Sequence, residues 1–182
     1  MLVQRLVPIF VGFTALTALS ESVLARKMIF KTVGSRYNPK VFSNFTVQII
    51  NSKLKVDTGI ISPLRQGVKT HLDFEFRLSK DRPYQIIFQN DINFCALIKG
   101  GRESLYRRWF KSMLKLGNFS TNCPIRRGYY YLHGWSPDGS QVPSFFLKGD
   151  YRISATLFYG SFKANDENPL LDIFIEAVLN QV

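Results

Sequence analysis

The sequence predicts an all-β domain, an antiparallel sandwich or barrel interrupted by one amphipathic helix. Three observations carry this. Apolar and polar residues alternate with period two: Leu72, Phe74, Phe76 and Leu78 interleave with Asp73, Glu75, Arg77 and Ser79, the pattern of a strand with one buried face. Turn-forming clusters recur at residues 35–39, 57–59, 80–83, 136–139 and 164–169, and short strands between regular turns argue a sandwich or barrel. Only residues 103–116 depart from the alternation, with a helical spacing.

Residues 1–25 precede that fold. Arg5 gives a positive start, residues 6–19 are uncharged and mostly apolar, and Val23 and Ala25 stand three residues and one residue before a cleavage point ahead of Arg26. This is the order of a secretory signal peptide. Its apolar run of about 14 residues falls short of the roughly 18–20 needed to cross a bilayer. Removing 25 of the 182 residues leaves 157, the size of one domain. The expectation is a signal peptide over 1–25 and a single extracellular domain over 26–182.

Within that domain, β-rich runs are expected at residues 41–50, 53–57, 72–79, 84–88 and 129–132. Tyr151, Ile153, Ala155, Leu157 and Tyr159 alternate with Arg152, Ser154 and Thr156. The last run sets Leu171, Ile173, Ile175, Ala177 and Leu179 against Asp172 and Glu176, with Phe174 on the polar side. In the helical segment, Leu105, Tyr106, Trp109, Phe110, Met113 and Leu114 share one side, and Arg107, Arg108, Lys111 and Lys115 the other. Gly117 stands where a C-cap glycine would end the helix. The helix is either a lid packed on the sheet or a contact with a membrane surface or ligand mouth.

The chain has 24 Lys and Arg against 13 Asp and Glu, a net charge of +11. The leader removes one charge of each sign, so the mature domain keeps +11. Such a balance suits an anionic membrane or glycolipid surface, or serves solubility alone. No basic tract or motif points to nucleic acid. In a secretory compartment the two cysteines, Cys95 and Cys123, are expected to form a disulfide, the alternative being two buried thiols. Asn44 and Asn118 open N-x-[ST] sequons and are candidate glycosylation sites.

Chemistry-bearing patterns are sparse. His71 and His133 lack metal-ligand spacing, and Gly100-Gly101 is not followed by the Lys and Ser/Thr of a phosphate loop. Asp91, Asp150 and Asp172 show no pairing that would serve acid–base work. No catalytic residue, metal or cofactor is assigned, and enzymatic activity is not expected. Aromatic residues are abundant, with 16 Phe, 8 Tyr and 2 Trp. They fit a solid aromatic core or sheets that part to hold an apolar ligand.

Asp91-Ile92-Asn93-Phe94-Cys95, then the helix, then Asn118-Phe119-Ser120-Thr121-Asn122-Cys123-Pro124 resembles a large insect family of secreted proteins. Most members carry a domain of unknown function, and they include the chemosensory CheB group. Gly128-Tyr129-Tyr130-Tyr131-Leu132, Pro143 and Gly149-Asp150-Tyr151-Arg152 continue the resemblance, which spans roughly residues 42–179. Many relatives carry a second cysteine pair in the N-terminal half; Ile50-Asn51-Ser52 stands in its place here. The family is similar to the lipid-recognition sandwiches that include the ganglioside-activator protein. The resemblance implies a two-sheet, immunoglobulin-like sandwich with an apolar cavity, and places the amphipathic helix between Cys95 and Cys123.

The resulting expectation is a secreted protein that binds an apolar or amphipathic small molecule, a lipid or hydrocarbon, without covalent chemistry, in a chemosensory setting. Phe74, Phe76, Tyr151 and Leu157 would line the cavity, and Tyr106, Trp109, Phe110 and Met113 would cover one opening. The alternative is a solid-cored interaction protein acting on a receptor or other protein.

Overall fold

A computed structural model of the chain describes residues 26–99, 105–162 and 169–181. The predicted signal peptide lies outside these residues, as do most of the turn expected at 164–169 and the first two residues of the expected helix.

Eight antiparallel strands are present among the described residues: β1 (Arg26–Tyr37), β2 (Phe42–Ile50), β3 (Lys53–Ile60), β4 (Val68–Arg77), β5 (Gln85–Asn93), β6 (Gly128–Trp135), β7 (Gly149–Tyr159) and β8 (Leu171–Gln181). Two helices, α1 (Phe94–Lys99) and α2 (Leu105–Leu114), stand between β5 and β6. One sheet has five strands in the order β1-β8-β7-β4-β5, and the other three in the order β2-β3-β6. Of the sandwich or barrel that the alternation allows, this is the sandwich, all-β and in two sheets.

Each sheet buries alternate residues. On β4, Val68, Thr70 and Phe74 are buried, whereas Leu78, read as part of that face, lies past the strand end and is 73 % exposed. β1 has no counterpart in the sequence reading. A bulge between Phe30 and Thr32 shifts the inward face by one residue, so the alternation breaks mid-strand. Gly34 adds a second interruption, which the structure explains. It pairs with Phe174 on β8, and a Cβ on Gly34 would stand 2.3 Å from that ring. Phe174 thus covers the bare glycine, which accounts for an aromatic residue on a polar face.

The buried side chains form two clusters. One gathers Met28, Phe30, Phe74, Trp109, Trp135, Tyr151 and neighbours, and the other Phe42, Ile60, Leu64, Val68, Leu157 and neighbours. Burying a side chain of this size stabilises by about 1.5–3 kcal/mol.

Cys95 and Cys123 are joined as a disulfide with a sequence separation of 28. The expected bridge between two strands is corrected in detail: Cys95 lies in α1, and Cys123 lies in the loop before β6, ahead of a cis Cys123–Pro124 bond. Gly117 is also not a left-handed helix cap. It forms a bridge with Leu132, and a Cβ there would meet the Tyr131 carbonyl oxygen at 2.1 Å. Glycine is needed for close backbone approach.

Candidate functional site: two chambers between the sheets

α2 spans the gap between the sheets because of its two-sided composition. Trp109 is buried, with its ring 5.8 Å from Phe74 and 6.0 Å from Trp135 between centroids. The indole N–H of Trp109 donates to the Gln141 carbonyl at 3.1 Å. That of Trp135 donates to Ser112 Oγ at 2.7 Å, and Ser112 Oγ donates to the Trp109 carbonyl at 2.7 Å. Both buried indoles are therefore paired, as such groups require, and α2 is fastened to β6 and to the turn after it.

Behind α2 lie two adjoining chambers. The larger, about 290 Å³, is walled by the inner faces of β2, β3, β6, β7 and β8, among them Phe45, Val56, Leu132, Leu157 and Ile173. The smaller, about 190 Å³, is walled by Met28, Phe30, Phe74, Tyr106, Trp109 and Trp135 among others. They share Thr70, Phe94, Phe110, Met113, Ala155 and Ile175. The larger chamber draws its wall from both core clusters. The space has a cause in the sequence. Thr70 on β4 faces Leu157 on β7, and Leu72 faces Ala155, so two small side chains sit diagonally where the flanking positions carry large ones.

Of the expected lining residues, Leu157 walls the larger chamber, Phe74, Tyr106 and Trp109 the smaller, and Phe110 and Met113 both. Phe76 and Tyr151 wall neither. Their rings are 5.1 Å apart, and Phe146 stacks on Tyr151 at 5.2 Å, so they pack against each other rather than against the space. Burial pushes the Tyr151 phenol up to about 12, and its hydroxyl donates to the Leu147 carbonyl at 2.8 Å. Tyr106 is likewise raised by burial. Sequence reading missed Thr70, Phe94, Ala155 and Ile175. Ala155 and Ile175 lie on faces that the alternation predicts to be buried, but nothing local distinguishes a residue that fills a core from one that borders a gap.

The histidines lie away from the chambers. His71 stacks on Phe162 at 3.7 Å, with Nδ1 2.5 Å from Asp91 and Nε2 3.1 Å from Asp73. His133 Nε2 is 2.9 Å from Asp57. The Tyr129 hydroxyl also donates to Asp57 and, as the largest influence, holds its carboxyl below the usual value, with burial opposing and His133 and Lys55 assisting. Strand register gives cations to the aspartates that looked solitary: Asp150 pairs with Arg77 at 3.0 Å and Asp172 with Arg36 at 2.8 Å. Among the described residues, no group of three or more His, Cys, Asp or Glu could hold a metal ion.

The sequon asparagines differ. Asn44 is exposed on β2. Asn118 is exposed but engaged with β6: its Oδ1 accepts from the Tyr131 N–H at 2.7 Å, and its Nδ2 donates to the Tyr129 carbonyl at 2.9 Å. A glycan on that nitrogen would have to preserve its remaining N–H for Tyr129.

Residues 70–153 match a family described as a protein of unknown function (DUF1091). The chain is similar to this family from mid-β4 to mid-β7. That span holds both helices, the disulfide and Thr70, Phe94, Phe110 and Met113 of the shared wall. No curated protein matches the chain.

Proposed function

We propose that the protein is a secreted, non-enzymatic carrier that holds a small apolar or amphipathic molecule, lipid- or hydrocarbon-like, between its sheets. The pair of chambers carries this reading. Protein interiors pack as densely as organic crystals, and ligand sites are commonly apolar cavities of about 300–1,000 Å³. Chambers of about 290 and 190 Å³ sharing a wall are what such a carrier requires. The leader-like residues 1–25 support secretion, and the resemblance to insect chemosensory proteins and to lipid-recognition sandwiches supports a pheromone or cuticular hydrocarbon as cargo. The net charge of +11 suits approach to an anionic membrane or glycolipid surface.

A second reading is interaction with a receptor or other protein through the surface. Phe145 and Leu147, 72 % and 62 % exposed before β7, favour it. Native mass spectrometry of protein secreted from insect cells, followed by organic extraction, separates the two. A lipid-sized mass that extracts is expected of a carrier. A clean apo mass that takes up neither fatty acids nor hydrocarbons would leave the surface reading standing.

A further inference from the structure

The walls narrow the cargo further than "apolar". Among the described residues, no Lys, Arg, His, Asp or Glu lines either chamber, so a carboxylate or phosphate drawn against these walls would be buried without a counter-charge from them, at prohibitive cost. The polar groups of the larger chamber are largely occupied. Thr58 Oγ1 donates to the Asn44 carbonyl at 3.0 Å, Ser120 Oγ to that of Asn122 at 2.8 Å, and the Tyr130 hydroxyl to that of Arg126 at 2.9 Å. In the smaller chamber both indoles are paired, as described.

One exception remains among the described residues. The Thr70 hydroxyl is shielded from solvent and has no hydrogen-bond partner, on a side chain only 7 % exposed. A buried hydroxyl left unpaired is uncommon in a folded protein and calls for a reason. Thr70 belongs to the wall shared by both chambers. Rotation about its χ1 exchanges hydroxyl and methyl, so an acceptor arriving at the junction can be met by the O–H.

We propose that the two chambers form one bipartite site for a neutral chain with two hydrocarbon arms joined by one mid-chain group, a ketone, ester or ether, an oxygen of which accepts a hydrogen bond from Thr70. This rests on the carrier reading and specifies its ligand. A water, close in size to a methylene group, occupies about 30 Å³ of liquid, so the arms would have roughly ten and six carbons.

The test uses the secreted, delipidated chain and three probes of equal carbon number: a dialkyl ketone with arms of those lengths, the corresponding alkane, and the corresponding terminal alcohol. Affinities are read by displacement of a neutral apolar dye. The wild type should bind the ketone more tightly than the terminal alcohol, whose hydroxyl cannot reach Thr70 when both arms are filled. Thr70→Val leaves the ketone oxygen buried without a partner, so that variant should bind the ketone at least about tenfold more weakly than the wild type does, with alkane affinity unchanged, and Thr70→Ser should keep the wild-type ketone affinity. Because the hydroxyl is unpaired in the empty protein, Thr70→Val should unfold at or above the wild-type temperature. Ketone affinity unchanged by Thr70→Val, an equal loss of alkane affinity in that variant, or tighter binding of the terminal alcohol by the wild type each overturns the mid-chain assignment while leaving the carrier reading intact. Failure of every probe to bind overturns both.

Discussion

Ala155→Leu tests the chambers themselves, because the sign of its effect on stability depends on whether the space exists. Ala155 lies on β7 in the wall common to both chambers. Leucine adds three carbons. At about 0.8 kcal/mol per buried methylene, placing them in empty apolar space stabilises the fold by up to about 2.4 kcal/mol. In a closely packed core the same carbons force shifts that cost about 1–3 kcal/mol. For a domain of this size each kcal/mol moves the melting temperature by about 2–4 °C. The delipidated variant should therefore melt above the wild type, by up to about 5–10 °C. It should also lose most of its uptake of an apolar dye or long alkane, since the added side chain occupies the junction. Thermal unfolding and dye titration on the same preparation supply both readings. A fall in melting temperature would refute the open wall. A rise with uptake unchanged would place the ligand somewhere other than between the sheets.

Three further outcomes follow from other parts of the molecule. Replacing Cys95 and Cys123 together by Ala should cost about 3.5 kcal/mol in a denaturant titration, from the unfolded-state entropy of a loop with separation 28; a loss under 1 kcal/mol would contradict the entropic role. Trp109→Ala should lower stability by about 3–5 kcal/mol and weaken ligand binding as well; a purely thermal effect would remove α2 from the binding site. Asp57 has a folded pKa below its unfolded value, so its contribution is complete above the unfolded pKa and disappears as pH falls through the folded one. Wild type should accordingly melt above Asp57→Asn at about pH 6 and converge with it as the pH falls below the folded pKa, and a gap that does not shrink with acidification would contradict the assignment.

The period-two pattern made most of the sandwich legible, because a half-buried strand states its own orientation: β4, β7 and β8 follow directly from their alternation. β1 escaped because its bulge after Phe30 moves the inward set by one residue, and because Gly34 gains its packing from Phe174, about 140 positions away. α1 escaped because six residues are too few for a helical period to register against the preceding strand. The aromatic face of α2 was visible as a cover, and four of its residues do wall the chambers. Phe76 and Tyr151 share the alternation of their strands with Phe74 and Leu157, yet only the latter pair borders the space. Which residues border a void depends on the side chains missing opposite them, a property of the register between β4 and β7 rather than of either strand alone.

The chambers also tie the protein's mechanics to its occupancy. The empty folded molecule leaves apolar space between its sheets that its atoms do not fill, and unfolding eliminates that void. Hydrostatic pressure favours the smaller-volume state, by an amount that scales with the void eliminated. A guest that fills the space removes this susceptibility. Loaded and empty molecules should thus separate under compression at a fixed temperature, which gives a measure of filling that requires no knowledge of the guest.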